Sequence, residues 1–454
     1  MKVRLGVHGF PYATALFLAI AFACGEQALA TGFFINQQSV QGLGRVDAGN
    51  TVAADELGTI FFNPAGLTRL WQEPDRREGM RIALGAHLIV PRGHQRNTGS
   101  AVATPATLGS FVPMTGTNAR NPTDPTPVPN FYVAAPLLNS RAAIGLGINA
   151  PFGLATSFSR DWYGRYDAIE ASLSTVNVSV VGAYRFASGL SVGGGLDVQY
   201  ARTSLTSAIP NPLMPGGPNL ETDGTIVTSG HDYTPGFNVG VLHSFDADTR
   251  VGFHYRSGVR HGISGSSEIT GLSGPLVSFN GVVDATADLD LPAIATAGVR
   301  TRLTEKLVVL GEFEWFDWSA FKEVRIRFAD GRADGVRPAN YRDAYAVAAG
   351  VEYPLRRRWI ARGGLHLDTT PTVDAFRDTT VPDAARVWLG AGTSFRKSDK
   401  VSVDVAFNHV FFRETSVGLT RTFFDGTPLA TAARINGSVS SVVNTISVDF
   451  RYAF

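Results

Sequence analysis

The sequence predicts an all-β fold: a transmembrane antiparallel β-barrel of about fourteen strands with a small N-terminal hatch inside its lumen. The first observation is the C-terminal segment, where polar and apolar residues alternate without interruption up to a terminal aromatic residue. Its apolar members are Ile446, Val448, Phe450, Tyr452 and Phe454. Successive side chains of a strand point to opposite faces, so this strand has one apolar and one polar face. Together with an export signal and the absence of long apolar runs, the pattern predicts that the apolar face meets the lipid of an outer membrane.

The second observation is the N-terminus, where residues 1–30 are predicted to be a signal peptide. Its parts are Lys2 and Arg4 at the positive start, an apolar segment from Ala13 to Ala23, and small residues at Ala28-Leu29-Ala30. The mature chain then begins at Thr31. A lipoprotein cleaved at Cys24 is the alternative, although Ala21-Phe22-Ala23 is a poor sequence to precede such a site. Cys24 is the only cysteine and is removed with the signal, so the mature protein is predicted to contain no disulfide.

The third observation is the composition. Beyond the signal, no stretch approaches the roughly 18 consecutive apolar residues of a membrane helix. The hydrophobic fraction of 44% is that of a soluble protein, as a barrel requires, because each lipid-facing residue is followed by a lumen-facing one. The 49 glycines suit strands and turns better than helices. A net charge of +1 gives no reason to expect a nucleic-acid partner.

The strands can be counted from the connections between alternating segments. Six short turns are predicted at 137–140, 187–189, 246–249, 303–306, 354–358 and 396–399. Seven longer connections are predicted at 91–129, 151–172, 204–232, 262–287, 319–340, 369–383 and 412–438. These thirteen connections give fourteen strands, with both termini on the side of the short turns. Bacterial outer-membrane barrels have this asymmetry of short periplasmic turns and long outer loops.

Residues 31–74 do not fit the barrel pattern. They lack alternation, are rich in Gly, Ala, Asn and Gln, and suggest short helical turns broken at Pro64. A barrel of fourteen strands is wide enough to leak unless its lumen is filled. The predicted organisation is therefore a hatch at 31–74 and a barrel at 75–454.

Several short motifs, in order along the whole mature chain, resemble those of the FadL-type outer-membrane transporters of long-chain fatty acids and other hydrophobic compounds. They are Gly32-Phe33, Asn36-Gln37-Gln38-Ser39, Gly42-Leu43-Gly44-Arg45, Asn63-Pro64-Ala65, Pro151-Phe152-Gly153-Leu154-Ala155-Thr156, Trp162-Tyr163-Gly164-Arg165-Tyr166, Ala183-Tyr184-Arg185, Leu291-Pro292, Asp317-Trp318-Ser319-Ala320-Phe321, Pro382-Asp383 before Arg386, and Phe454. The resemblance implies fourteen strands, an N-terminal hatch, and inward movement of hydrophobic molecules without an energy source of the protein's own. The family also includes relatives that serve aromatic and aliphatic hydrocarbons, so the substrate stays open.

The expected partners follow from this resemblance. They are fatty acids or hydrocarbons, the lipid bilayer with its lipopolysaccharide, and the outer-membrane barrel assembly machinery. The protein is expected to be a monomer in the Gram-negative outer membrane, without a cofactor, a metal or a nucleic acid.

Candidate ligand contacts lie in two long connections that are unusually apolar for exposed segments. The connection 204–232 carries Leu205, Leu213, Met214 and Leu220, and the connection 262–287 carries Ile269, Leu272 and Phe279. Phe33, at the start of the hatch, is a further candidate. Burying a methylene is worth about 0.8 kcal/mol, so an apolar surface can collect a long-chain ligand from water. The alternative is that the two connections merely pack on each other.

A carboxylate head group needs a donor, and an arginine in a partly dry lumen is the best candidate. Arg185 has inward parity and is the first candidate; Arg256, Arg300 and Arg451 also have inward parity. The alternative is that such arginines pair with inward carboxylates such as Asp404 and Asp449.

The candidate gate has two parts. Asn63, Pro64 and Ala65 are expected to anchor the hatch, and Gly145, Gly147, Asn149 and Pro151 to interrupt a strand. The resemblance implies that a kink in the third strand opens a lateral gap facing the hatch. Glycine used only for tight packing is the alternative.

Enzymatic functions are not predicted. The chain has no Gly-x-Ser-x-Gly elbow, and its nine histidines are scattered without metal-ligand spacing. A lipid hydrolase would need a serine beside His254 or His409 on the outer wall. A general porin is the other alternative, and it would need an open lumen.

Overall fold

The computed structural model describes residues 32–72, 79–214 and 217–454. The predicted signal peptide, Cys24, Thr31 and Pro74 lie outside the described residues. Within these ranges, one antiparallel sheet closes on itself, because its first strand pairs with both the second and the last. The predicted barrel of fourteen strands is thus confirmed.

The strands are numbered β1–β14 in chain order, and several consist of two consecutive segments. They are β1 (Arg81–Asn97), β2 (Thr126–Leu137), β3 (Ala142–Asn149 and Gly153–Ser157), β4 (Glu170–Arg185), β5 (Leu190–Ile209), β6 (Gly224–Ser244), β7 (Arg250–Arg256 and Val259–Thr270), β8 (Gly281–Leu291 and Ile294–Arg302), β9 (Val308–Phe316 and Glu323–Phe328), β10 (Gly335–Pro338 and Ala344–Arg356), β11 (Trp359–Asp368), β12 (Arg386–Arg396), β13 (Val401–Phe412 and Thr415–Phe423) and β14 (Thr431–Ala453). Short strand segments at Ala101–Ala103, Val112–Pro113 and Ala119–Arg120 lie in the connection between β1 and β2. All six predicted short turns join consecutive strands at one end of the barrel.

The alternation of side chains sets the two faces of the wall. On β4, Val180 is 51% exposed on the outside whereas its neighbour Val181 is 2% exposed towards the lumen. Outward-facing apolar residues recur on the other strands at the same height, so the wall carries a continuous apolar band. Such a band is the surface that a membrane-spanning barrel presents to lipid.

Several strands are longer than the sequence suggested. The β5–β6 ladder continues to the pair Ile209 and Gly224, and the β7–β8 ladder continues to Ile269 and Gly281. The prediction that Leu205 and Ile269 lie in loops is therefore wrong, and the loops shrink to 210–223 and 271–280. The physical reason is that the alternation of inward-facing and outward-facing side chains continues through these segments, and the inward-facing side chains pack against other side chains inside the barrel. A membrane strand needs only about 9–11 residues, so β5 with 20 residues and β6 with 21 extend beyond the bilayer.

The described part of the hatch, residues 32–72, lies inside the lumen as short helices. These are α1 (Val40–Gly44), α2 (Asn50–Ala53), α3 (Thr59–Phe62) and a 3₁₀ helix (Pro64–Arg69). Further 3₁₀ helices outside the hatch are Pro105–Thr107, Gly274–Phe279 and Trp318–Ala320. The Ser39 hydroxyl caps α1 by accepting from the Gly42 N–H at 2.7 Å. Across the described ranges, no helix is both long and apolar enough to cross a membrane.

The hatch meets the wall through charged groups on one side. Arg45 donates to Glu352 of β10 at 2.5 Å, and Arg362 of β11 donates to the same carboxylate at 2.9 Å. The Arg362 guanidinium also donates to the Gln41 side chain at 3.1 Å. Arg45, Arg362 and Glu352 are all buried, and removing one partner of a buried ion pair costs about 3–5 kcal/mol. This side of the hatch is therefore fixed to β10 and β11.

The Asn63-Pro64-Ala65 turn meets the wall where two glycines face each other. Gly193 of β5 and Gly240 of β6 are a cross-strand pair. A Cβ at Gly193 would lie 2.6 Å from the Pro64 carbonyl carbon, and one at Gly240 would overlap the Asn63 side chain. The Asn63 amide donates to the Thr51 carbonyl at 2.9 Å and to the Val241 carbonyl of β6 at 3.1 Å. The turn thus joins the hatch to β6 only because these two wall positions lack side chains.

We expect Gly240→Ala or Gly193→Ala to displace the Asn63-Pro64-Ala65 turn and to raise ion conductance through the barrel in a planar bilayer. A methyl group at either position would occupy space that the hatch fills. The matched control is Gly182→Ala on β4, whose Cβ would meet only the Ala143 carbonyl oxygen at 3.9 Å. Conductance unchanged in both wall variants would show that this contact does not hold the hatch.

Candidate functional site

The wall has a window between β2 and β3. The β2–β3 ladder ends at the pair of Phe131 and Ile148, and residues 126–130 of β2 pair only with β1. Pro127 and Pro129 in this stretch have no N–H to donate, which suits an unpaired strand edge. Above the window the wall closes again, because the Ser157 N–H donates to the Pro122 carbonyl at 2.6 Å.

The window lies within the apolar band. Pro127 pairs across β1 with Leu88, and Leu88 is an exposed outward-facing residue of that band. The apolar residue Leu84 continues the band four residues below. The window therefore opens towards lipid rather than towards water.

The backbone that leaves β3 at the window is taken up by the hatch. The Ile35 N–H donates to the Pro151 carbonyl at 2.9 Å, and the Gly153 N–H donates to the Phe33 carbonyl at 2.9 Å. The Gln38 amide donates to the Ala150 carbonyl at 2.8 Å. Because buried backbone groups must be paired, the hatch takes the place of the missing β2 partner. We call this set of three hydrogen bonds the hatch–strand junction.

The kink itself comes from one extra residue. Asn149 pairs with Asn177 and Gly153 pairs with Ser174, so three residues of β3 stand opposite two residues of β4. This is a β-bulge, which bends the strand that carries it. The predicted Pro151 lies in the bulge, and the Asn149 amide donates to the Tyr132 hydroxyl at 3.4 Å.

Gly145 and Gly147 have a different setting, below the bulge. A Cβ at either position would lie 2.9 Å from the Ile60 side chain of the hatch. These two glycines admit the hatch, while the residues from Ala150 to Phe152 produce the bend.

A cavity of about 150 Å³ lies above the hatch, with Phe33 at its floor. Its walls come from β3–β10 and from the connection between β11 and β12. The apolar lining includes Leu154, Ala171, Leu173, Leu205, Ile263, Ala285, Ala287, Leu289, Phe321, Val324, Ile326, Ala339, Tyr341, Phe376 and Val381. Phe33 faces this cavity while its carbonyl accepts the bond from β3, so one residue contacts both the cavity and the junction.

Aromatic contacts hold Phe33 in place. Its ring lies 4.5 Å from the Trp318 ring and 5.5 Å from the Phe321 ring, centroid to centroid, with edge-to-face geometry. Gly32 has a φ of +65°, and a Cβ there would lie 2.8 Å from Trp318. The Gly32 N–H donates to the Asp383 carboxylate at 3.2 Å. The start of the hatch is thus fitted between β9 and the connection that follows β11.

The charged residues of the lining are Arg337 and Asp378, which we call the polar end of the cavity; seven Ser and Thr residues also line it. Arg337 donates to Asp167 at 3.3 Å, and Arg421 of β13 donates to the same carboxylate oxygen at 2.6 Å. Asp167 also accepts from the Thr379 N–H at 2.9 Å. Two arginines therefore share the Asp167 carboxylate, and the Asp378 carboxylate is the second acidic group at this end.

The pKa shifts at this end of the cavity follow from burial and from the neighbouring charges. Burial raises the pKa of Asp167, but Arg421 and Arg337 outweigh it, so the pKa falls to about 2. Burial lowers the pKa of Arg337 to about 10, with Arg421 contributing, so Arg337 is still a cation at neutral pH. Burial and the charge of Asp167 raise the pKa of Asp378.

The arginines singled out from sequence lie elsewhere. Arg185 is at the periplasmic end of β4, twelve residues from Leu173, which places it roughly 40 Å along the strand from the cavity. Arg256 pairs with Asp197 at 2.9 Å and donates to the Phe61 carbonyl at 3.0 Å. The other two contact wall carboxylates: Arg300 lies 4.0 Å from Glu352, and Arg451 lies 2.7 Å from Asp404 and 3.5 Å from Asp449.

The apolar residues of the outer loops divide into two groups. Ile269 and Leu272 are buried in a cluster with Ile209, Leu276 and the connection after β13. Leu213, Leu220 and Phe279 are 41%, 53% and 45% exposed, respectively. Met214 lies in the same loop as Leu213, and its sulfur would be 3.4 Å from a Cβ at Gly274. The outer loops therefore pack on each other and also present an exposed apolar surface.

Sequence reasoning missed Asp167, Arg337 and Arg421. Asp167 directly follows the quoted motif at 162–166, and that adjacency was the available signal. Nothing local marks Arg337 or Arg421, which reach Asp167 from 170 and 254 residues away.

The two histidines considered for catalysis lie on opposite faces of the wall. His254 faces the lumen and is 3% exposed, and His409 faces outward with its Nδ1 2.8 Å from the Asn444 side-chain oxygen. In the part of the chain that the structure describes, no three His, Cys, Asp or Glu side chains are grouped to hold a metal ion.

Comparison with known proteins gives a consistent result. A family model described as outer membrane protein transport protein (OMPP1/FadL/TodX) matches residues 21–454. A long-chain fatty acid transport protein of Escherichia coli O6:H1 is 27% identical over 426 residues, covering 87% of this chain and 90% of that protein. Outer membrane protein P1 of Haemophilus influenzae is 26% identical over 468 residues, covering 97% of this chain and 98% of that protein.

Solved structures share the fold. A Pseudomonas aeruginosa FadL homologue superposes with a TM-score of 0.79 at 20% identity, covering 93% of this chain and all of that one. The Ralstonia pickettii toluene transporter TbuX gives a TM-score of 0.64 at 18% identity, covering 90% of this chain and 98% of that one.

Proposed function

Because the chain belongs to the OMPP1/FadL/TodX family of outer-membrane transport proteins, we propose that it takes up long-chain fatty acids or similar carboxylated hydrophobic molecules by passive transport. The observation that carries this proposal is an apolar cavity with arginine at one end, separated from a lipid-facing window by the start of the hatch. The steps are capture at the outer loops, binding in the cavity, and lateral exit through the window.

Capture uses the exposed apolar residues Leu213, Leu220 and Phe279. A long alkyl chain gains about 0.8 kcal/mol for each methylene that leaves water, so it moves spontaneously onto such a surface. Leu205 continues the apolar surface down β5 into the cavity. We expect the ligand to pass from these loops to Leu205 and into the cavity.

Binding in the cavity places the head group beside Arg337. A carboxylate there would meet the Arg337 guanidinium, which shares the Asp167 carboxylate with Arg421 and so is only partly neutralised by it. Charge-assisted hydrogen bonds of this kind contribute about 1.5–3 kcal/mol where water is scarce. The alkyl chain then lies along the apolar lining towards Phe33.

The cavity is too small for a long chain as it stands. Its volume of about 150 Å³ is below the roughly 300 Å³ at which pockets for drug-sized ligands begin. A long-chain ligand must therefore displace part of the lining, and Phe33 at the floor is the residue of the hatch in that lining. Moving Phe33 pulls on its carbonyl, which is bonded to Gly153 across the junction.

Exit then follows from the geometry of the window. Once the bonds of Phe33 and Ile35 to β3 are broken, the bent strand loses the partner that closes the lumen at that point. The opening leads into the apolar band, where an alkyl chain is stable without any energy input. The rest of the hatch stays fixed to β10 and β11 through Arg45 and Glu352.

A second candidate function is the uptake of uncharged aromatic or aliphatic hydrocarbons. The size of the cavity favours it, since an engineered apolar cavity of about 150 Å³ binds benzene. Arg337 distinguishes the two functions, because a hydrocarbon gains nothing from the charge. The general porin is not supported, because the hatch occupies the lumen.

To test the head-group site, Arg337→Met should weaken the binding of a long-chain fatty acid about tenfold or more while leaving its uncharged methyl ester nearly unaffected. The substitution removes the charge, and Asp167 keeps Arg421 as its partner. Calorimetry on the purified protein measures both ligands.

The matched control is Arg185→Met, which removes an equal charge far from the cavity and should change neither affinity. Loss of acid binding in the Arg185 variant but not in the Arg337 variant would place the head group at the periplasmic end. Equal losses for acid and ester in the Arg337 variant would mean that Arg337 only supports the wall.

To test the exit, deletion of Ala150 should abolish uptake while the barrel folds normally. Without the extra residue, the two segments of β3 can pair continuously with β4 and with the free edge of β2, which closes the window. Labelled fatty-acid uptake in a host without its own transporter provides the readout. Ala150→Gly keeps the chain length and should retain uptake; normal transport by the deletion variant would rule out the window as the exit.

A further inference from the structure

The outer face of the barrel carries a group of basic residues directly above the apolar band. On β1 the outward residues Leu84, Leu88 and Val90 are followed by Arg92, His94 and Arg96. Arg120, on the short segment that pairs with β1, and Arg434 of β14 complete the group. We call Arg92, His94, Arg96, Arg120 and Arg434 the basic patch.

The register of the strands brings these residues together. His94 stands opposite Arg120, while on the other side Arg92 stands opposite Val442 and Arg96 opposite Ser438 of β14. Neighbouring strands are about 4.8 Å apart and alternate residues about 6.6 Å apart, so the four residues on β1 and its partner segment fall within roughly 15 Å. Arg434 lies farther up β14, with its guanidinium 4.0 Å from the Phe111 ring centroid.

The arginines of the patch are not paired with carboxylates in the part of the protein that the structure describes. Among the described residues, none of its arginines has a carboxylate within 4 Å, whereas exposed arginines on the extensions of β7 and β9 are paired. Those pairs are Arg260 with Asp288, Arg325 with Asp334, and Arg327 with Asp288. Asp124 follows Arg120 by four residues, and Asp425 precedes Arg434 by nine and accepts from the Thr422 hydroxyl. Glu414 precedes Thr415, which stands opposite Val439 of β14, and it directly follows Arg413.

The height of the patch identifies its partner. On β14, Ile446 and Val442 continue the apolar band, and Ser440 marks the end of that band at the level of His94. The long loops lie on the same side, so the patch is at the outer surface of the membrane. Charged head groups of the outer leaflet are therefore what these arginines meet, and phosphate is the group that arginine binds best in that setting.

We propose that the basic patch binds the phosphate groups of lipopolysaccharide in the outer leaflet. The alkyl chains of the bound glycolipid then lie against Val90 and Leu88, in the half of the apolar band nearest the patch. Because β1 is next to β2, the bound molecule stands at the edge of the window. This site is independent of the substrate, so it stands whether the protein carries a fatty acid or a hydrocarbon.

The test uses the full-length protein with Arg92→Gln, Arg96→Gln and Arg120→Gln combined. Binding of purified bisphosphorylated lipid A, measured by native mass spectrometry in detergent, should weaken about tenfold or more, as expected for the loss of charge-assisted contacts. The matched control combines Arg260→Gln, Arg325→Gln and Arg327→Gln, which removes the same charge and should bind lipid A normally. Unfolded protein is recognised in both by its altered mobility on an unheated gel.

A second measurement needs no variant. The unchanged protein should bind lipid A stripped of both phosphates, or phosphatidylglycerol, much more weakly than bisphosphorylated lipid A. Equal binding of these three lipids, or an equal loss in the two triple variants, would overturn the proposal.

Discussion

The junction between the hatch and β3 is the interaction on which the rest of the structure depends. A bulge at Ala150–Phe152 turns β3 away from β2, which would leave backbone groups unpaired inside the barrel. Phe33, Ile35 and Gln38 supply the missing partners. The barrel can therefore contain a lipid-facing window and yet remain closed, because a segment that is not part of the wall completes the wall's hydrogen bonding.

The same arrangement explains why the hatch is held unevenly. On the side of β10 and β11 it is fixed by Arg45 and Glu352, a buried ion pair that is costly to break. At β6 it is fixed by the Asn63 turn, which fits against two glycines. At β3 it is held by two backbone hydrogen bonds and one from the Gln38 side chain, each worth about 1 kcal/mol net. The start of the hatch is thus the part that a ligand can move while the remainder stays in the lumen.

The barrel could be predicted from local sequence patterns, whereas the binding site depends on tertiary contacts. Alternation is a property of neighbouring residues, so the fourteen strands and the six short turns could be counted from sequence. The predicted loops at 204–232 and 262–287 are too long, because Leu205 and Ile269 lie in strands that continue beyond the predicted ends. Pro151 lies at the interruption of β3. A proline cannot donate a hydrogen bond to the ladder, so a single residue in the sequence indicates such an interruption.

The polar end of the cavity could not be found in the same way. Arg337 and Arg421 come from different strands and meet at Asp167, so parity alone gave too many equivalent arginines. Parity also assigned Arg185 to the lumen without showing how far it is from the cavity. Height along the barrel axis, which separates these candidates, depends on the register of every strand between them.

Hydrogen exchange of the purified protein with and without a saturating fatty acid tests the central claim most directly. The amides of Ile35 and Gly153 are the two backbone donors of the junction. If a ligand in the cavity opens the junction, both amides should exchange faster in its presence, while the amide of Ala65 in the anchoring turn keeps its protection. Unchanged or slower exchange at Ile35 and Gly153 with the cavity occupied would contradict the coupling between the cavity and the window.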